Sequence, residues 1–197
     1  MTPGIPTKAC VFRLFAASTH GVAALEFAMI MPILAIIFLT TFDGGRAIAV
    51  YMKVRSATYA LAAIANQYST IQSADMNSIV GAASVVLAPY SSTPTVVTIS
   101  QLSMSNTGKA TVSWSYSLNG AARLQGAAVT LPSNLQPANN ATCSSYPCYL
   151  ILAEVSYTYT PVFGLFTSGT IALSDNLYVT PRSAACVLYP PGNVTSC

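Results

Sequence analysis

The pattern of hydrophobic and polar positions changes character along the chain. Residues 27–42 form an apolar run without a formal charge, and as a helix the span 22–42 reaches roughly 30 Å, the thickness of a bilayer's hydrocarbon core. From 46 to 69, Ile48, Tyr51, Met52, Arg55, Tyr59, Ala62 and Ala63 fall at three- and four-residue steps, which predicts a continuing helix. Pro32 removes a backbone donor and crowds the preceding turn, so a kink or local opening is expected there. Gly44-Gly45 is the weak point at which a bend would separate anchor from stalk. Ser73-Ala74-Asp75 then offers a cap, and Met76, Ile79, Val80, Ala83, Val86 and Leu87 form an apolar stripe ending before Pro89. This predicts a second, shorter helix whose stripe packs into a core.

After Pro94 the period shortens. Residues 96–103, 110–118, 149–159 and 170–179 are rich in Val, Ile, Thr and Tyr and are bounded by Asn-, Gly- and Pro-containing turns, the pattern of strands. Alternation is clearest at 110–118, where it assigns Ala110, Val112, Trp114, Tyr116 and Leu118 to one face and Thr111 with the serines to the other. Asn106-Thr107-Gly108 supplies a turn to the preceding strand. The expected fold class is α+β: a long amino-terminal transmembrane and stalk helix, a short helix, and an antiparallel β-sheet head with one dry and one wet face. Residues 119–148, with Gly126, Pro132, Pro137 and Asn139-Asn140, read as a long surface loop.

Composition sharpens this picture. Of 197 residues 53% are hydrophobic and 7% charged, against a charged share of about 25% in ordinary soluble domains. That balance fits an exported, membrane-linked protein and excludes disorder. The net charge is +3, with basic residues scattered from Lys8 to Arg182, so no cluster tracks a phosphate backbone and nucleic acid is not an expected partner. Lys8 and Arg13 precede the apolar run while Arg46, Lys53 and Arg55 follow it, so charge counting leaves the orientation open. Glu26 is the anomaly, because a carboxylate costs on the order of 3 kcal/mol at the membrane centre and less towards the interface.

A glycine after a short basic leader, a glutamate five residues on, an aromatic directly after it and then an apolar helix form the processing pattern of type IV pilins. Gly21, Glu26 and Phe27 match it. The version here, Gly-Val-Ala-Ala-Leu-Glu-Phe-Ala-Met-Ile-Met-Pro with Phe42-Asp43-Gly44-Gly45-Arg46 after it, resembles the TadE/TadG-like pseudopilins of tight-adherence (Flp/type IVb) pili. The run from Glu154 to Phe163, with Leu173-Ser174 and Tyr178 to Arg182, is similar to the closing strands of TadE-like proteins. The resemblance implies a leader at 1–21, a transmembrane segment at 22–42, a helical stalk at 43–70 and an extracytoplasmic head at 71–197. It further implies a bacterial inner-membrane protein, crossing once with its amino terminus in the cytoplasm and its head periplasmic or extracellular. A prepilin peptidase would cut between Gly21 and Val22, and Glu26 and Phe27 would serve assembly with other pilin or pseudopilin subunits and the pilus machinery. A signal-anchored envelope binding domain that never polymerises is the alternative.

Five cysteines are present. Cys10 lies in the leader, whereas Cys143, Cys148, Cys186 and Cys197 would face an oxidising compartment, in an even number compatible with disulfides. Cys143 with Cys148 and Cys186 with Cys197 is the favoured pairing among those open. Neither a Cys-x-x-Cys spacing nor a histidine beyond His20 occurs, which argues against zinc, and no cofactor is expected. The carboxylates after Gly21 are Glu26, Asp43, Asp75, Glu154 and Asp175, too few and too dispersed for general acid–base chemistry. Glu154 and Asp175 are expected in structural ion pairs, with Arg123 and Arg182 as candidate partners, and no enzymatic activity is expected.

Overall fold

The computed structural model describes residues 21–90, 93, 95–136, 143, 145–164 and 169–190. The leader residues before Gly21, and Cys197, lie outside the described residues. One helix, α1 (Val22–Ala65, 44 residues), takes up the whole amino-terminal pattern, a length of roughly 66 Å. Pro32 lies inside it without ending it, and the helix is continuous through Gly44 and Gly45, the point at which a bend is expected. Glycine lowers helix propensity by only about 1 kcal/mol, and tertiary packing takes over immediately afterwards, with Val50 already fully buried.

The two halves of α1 have different surroundings. From Val22 to Phe42 every side chain is exposed except Ala35 and Leu39, which are half-buried. From Val50 onward, Val50, Val54, Ala57, Thr58, Leu61, Ala62 and Ala65 are buried. Much of the stretch read as a stalk is therefore a core helix of the head. Ile48, Tyr51, Met52 and Tyr59 point the other way and stay exposed.

Helix α2 (Ser73–Leu87) starts where the Gln72 amide donates to Asp75 Oδ2 at 3.3 Å, a side chain satisfying an amide at a helix start. Its buried stripe of Met76, Ile79, Val80, Ala83 and Leu87 packs against α1, as the spacing predicts. Each Leu or Ile so enclosed contributes about 1.5–3 kcal/mol of transfer free energy.

Five antiparallel strands follow: β1 (Thr95–Met104), β2 (Ala110–Leu118), β3 (Ala128–Val129), β4 (Cys148–Tyr159) and β5 (Ile171–Val179), in the order β3-β2-β1-β4-β5. The fold is α+β, as expected. The β1–β2 turn closes with the Ser105 amide on the Lys109 carbonyl at 2.9 Å, and Gly108 takes a φ of 81° there, a conformation that suits glycine.

One expectation for β2 is corrected. The pairing steps from Gln101↔Trp114 to Leu102↔Val112, leaving Ser113 as the extra residue of a bulge. A bulge reverses which face the later side chains occupy. Trp114, Tyr116 and Leu118 consequently join Val97, Ile99, Ile151, Ala153 and Val155 beneath the helices, whereas Ala110 and Val112 join Leu102, Met104, Leu150 and Leu152 on the opposite face. The second face is thus only partly wet. Its apolar end is covered by residues 124–135, where β3 pairs with β2 and Leu131 is buried. The region read as a surface loop therefore supplies a small strand and part of a core. The rest of that face carries the hydroxyl pairs Thr98–Ser117 and Ser100–Ser115, each at 2.9 Å.

After β5 the chain returns to the junction of α1 and α2. The Arg182 amide donates to the Asn66 carbonyl at 2.9 Å, and Leu188 pairs with Thr70 in a parallel bridge. Val187, fully buried, is held from both sides. Its amide donates to Gln101 Oε1 at 2.6 Å and its carbonyl accepts from Trp114 Nε1 at 2.7 Å.

Candidate functional site

The residues of the processing pattern stand at the start of α1. Gly21 is its N-cap and exposed, Val22 is its first residue at 55% exposure, and Phe27 is 65% exposed. Glu26 lies one turn after Val22, also exposed, and residues four apart share one side of a helix. The 18-residue window that qualifies α1 as long and apolar enough to cross a membrane is wholly unburied. Val22, Glu26 and Phe27 thus stand within the first two turns of α1, far along it from the head.

A second cluster forms where the uncharged run ends. The Asp43 carboxylate accepts three consecutive backbone amides of the β4–β5 loop: Val162 at 3.1 Å, Phe163 at 3.0 Å and Gly164 at 3.1 Å. The Tyr159 hydroxyl donates to the Asp43 carbonyl at 3.3 Å, the Phe163 ring meets the Phe42 ring edge-on at 5.9 Å, and the Arg46 guanidinium lies 5.9 Å from the Phe42 centroid. Burial raises the Tyr159 phenol above its ordinary range. The sequence places Phe42, Asp43 and Arg46 in one cluster, but Asp43's partners lie about 120 residues away in the chain and leave no local signal.

On the wet face of the sheet, Arg123 and Glu154 form a bidentate ion pair, with one arm from Nη2 to Oε1 at 2.9 Å. Of the two candidate partners for Glu154, Arg123 is the one found. The hydrogen bond to Glu154 raises the Arg123 guanidinium above its ordinary range. The pair borders an open groove of about 420 Å³ with Thr98, Ser156, Ser174 and Asn176. Asp175 instead lies near enough to Arg55 on α1 to favour its charged form, after the larger effect of Tyr59. Cys143 and Cys148 form a disulfide, and Cys186 is disulfide-bonded and buried. Among the described residues no group of His, Cys, Asp and Glu is placed to hold a metal ion.

No curated protein and no solved structure matches the chain. The family model of TadE-like proteins matches residues 21–63. The match begins at Gly21, spans the exposed half of α1, includes Phe42, Asp43 and Arg46, and ends within the part of α1 buried in the head; the strands lie outside it. Over residues 21–63 the chain therefore carries a region similar to TadE-like proteins, the family associated with tight-adherence pilus systems.

Proposed function

We propose that this protein is a minor pseudopilin-like subunit of a tight-adherence pilus, cleaved by a prepilin peptidase between Gly21 and Val22, with no enzymatic activity of its own. The observation that carries this reading is the amino-terminal half of α1, an apolar helix exposed on nearly every side and continuous with the helix buried in the head. An apolar surface of that extent needs lipid before assembly or neighbouring helices after it. The outward stripe of Ile48, Tyr51, Met52 and Tyr59 extends the same packing surface past the membrane.

Cleavage would leave a positive amine on Val22. In a fibre, that amine and the Glu26 carboxylate of a neighbouring subunit would offset each other's desolvation and set the axial register. In the proposed orientation the leader faces the cytoplasm of a bacterial inner membrane and the head lies outside. The groove beside Arg123 and Glu154 supports a second reading, an anchored envelope domain that binds a polar ligand and does not polymerise.

The test is the amino-terminal sequence and pilus content of two variants in the native membrane. Gly21→Leu should abolish a start at Val22, and Glu26→Ala should be cut normally but be lost from sheared pilus fractions. Normal processing of Gly21→Leu would refute this cleavage site. Full incorporation of Glu26→Ala would refute the charge pairing, and absence of the wild-type protein from those fractions would favour the anchored binding domain.

A further inference from the structure

The Asp43 cluster lies at the level where the chain leaves the membrane in the reading above, and the inference drawn from it rests on α1 crossing a bilayer. Asp43 is the first charged residue after the run 27–42, and its carboxylate holds residues 162–164, which follow β4, against the helix at that height. Two of those residues are apolar and open to the outside. Val162 is 54% and Phe163 47% exposed, and Phe163 abuts Phe42, itself 45% exposed, so the bare apolar surface of α1 passes without interruption onto the loop.

We infer that Val162 and Phe163 rest in the outer interfacial layer of the bilayer, giving the head a second foot on the lipid beside α1. Aromatic residues favour that layer, whereas an unsatisfied backbone amide entering it loses its water without gaining a partner. Asp43 removes that penalty for three amides together. Arg46, over the Phe42 ring one turn further along α1, stands where lipid phosphates would meet a cation. Two attachments fix the head's tilt and rotation relative to the membrane, which one helix crossing alone would leave free.

The full chain in lipid nanodiscs tests this with Phe163→Trp and Phe38→Trp, using lipids brominated near the top or near the end of the acyl chains. Wild-type Trp114 is 4% exposed inside the head and supplies an unquenched baseline. The Phe163→Trp emission should fall on the order of twofold with shallow bromines and less with deep ones, as for an interfacial aromatic. Adding Asp43→Ala should restore it. An unquenched Phe163→Trp beside a quenched Phe38→Trp would overturn the inference while leaving the anchor intact, and a dependence on protein-to-lipid ratio would then assign the patch to a second copy of this chain. If neither reporter is quenched, the anchor reading falls with it.

Discussion

Val187 shows how much of this head depends on single polar side chains. Its peptide is buried, and an amide or carbonyl enclosed without a partner costs about 1–3 kcal/mol. Gln101 and Trp114 satisfy the two ends. Trp114→Phe keeps most of the apolar contact but leaves the Val187 carbonyl without its indole donor, so the full chain in detergent should lose about 1–3 kcal/mol in a denaturant titration. That Trp114 faces a core was legible from the alternation of β2. That it serves residue 187 was not, because nothing near either residue encodes a partner 73 positions away. Gln101 left a fainter trace, as a polar residue in step with Val97 and Ile99 on a face that is otherwise apolar. By contrast the Arg123–Glu154 pair is about one-third exposed, and its removal should cost no more than about 1 kcal/mol.

Elements were legible where period and length agreed. The four long strands begin and end within a residue of the expected bounds, whereas the two-residue β3 was not foreseen, and α2 ends ahead of Pro89 as expected. The β2 bulge was hidden because an extra residue changes no local alternation; it appears only in the pairing register with β1. In α1 the helix was evident, but its buried face was not. The packed side mixes Val50, Val54 and Leu61 with the small Ala57, Ala62 and Ala65, while the large apolar Ile48 and Met52 face out with Tyr59, so no polar face marks the buried one. Gly44 and Gly45 lie in this helix with nothing within 4 Å of an added Cβ. Replacing either by alanine should therefore stabilise α1 by about 0.5–1 kcal/mol, read as a higher melting midpoint by circular dichroism. A lower midpoint would show that the helix bends there in solution. Unchanged pilus incorporation of the double alanine variant would establish that assembly needs no hinge at this point.

At the scale of the whole molecule, α1 and residues 181–190 after β5 meet at the same end of the head, where the Arg182 amide reaches the Asn66 carbonyl and Val187 joins the core beneath the helices. Burial raises the phenols of Tyr159, Tyr178 and Tyr189 above their usual range. Because the folded values exceed the unfolded one, the associated stability is complete below about pH 10 and is lost as the pH rises through the folded values. Denaturation midpoints of the full chain should therefore fall above about pH 10, and fall less for Tyr189→Phe. The capture of Val187 has a further consequence for biogenesis. In the proposed orientation the amino terminus stays in the cytoplasm and the head crosses from its amino-terminal side, so every strand emerges before Val187. Trp114 and Gln101 stay hydrated, without their native partner, until residue 187 has crossed. In that orientation closure of this part of the core waits until residue 187 has crossed.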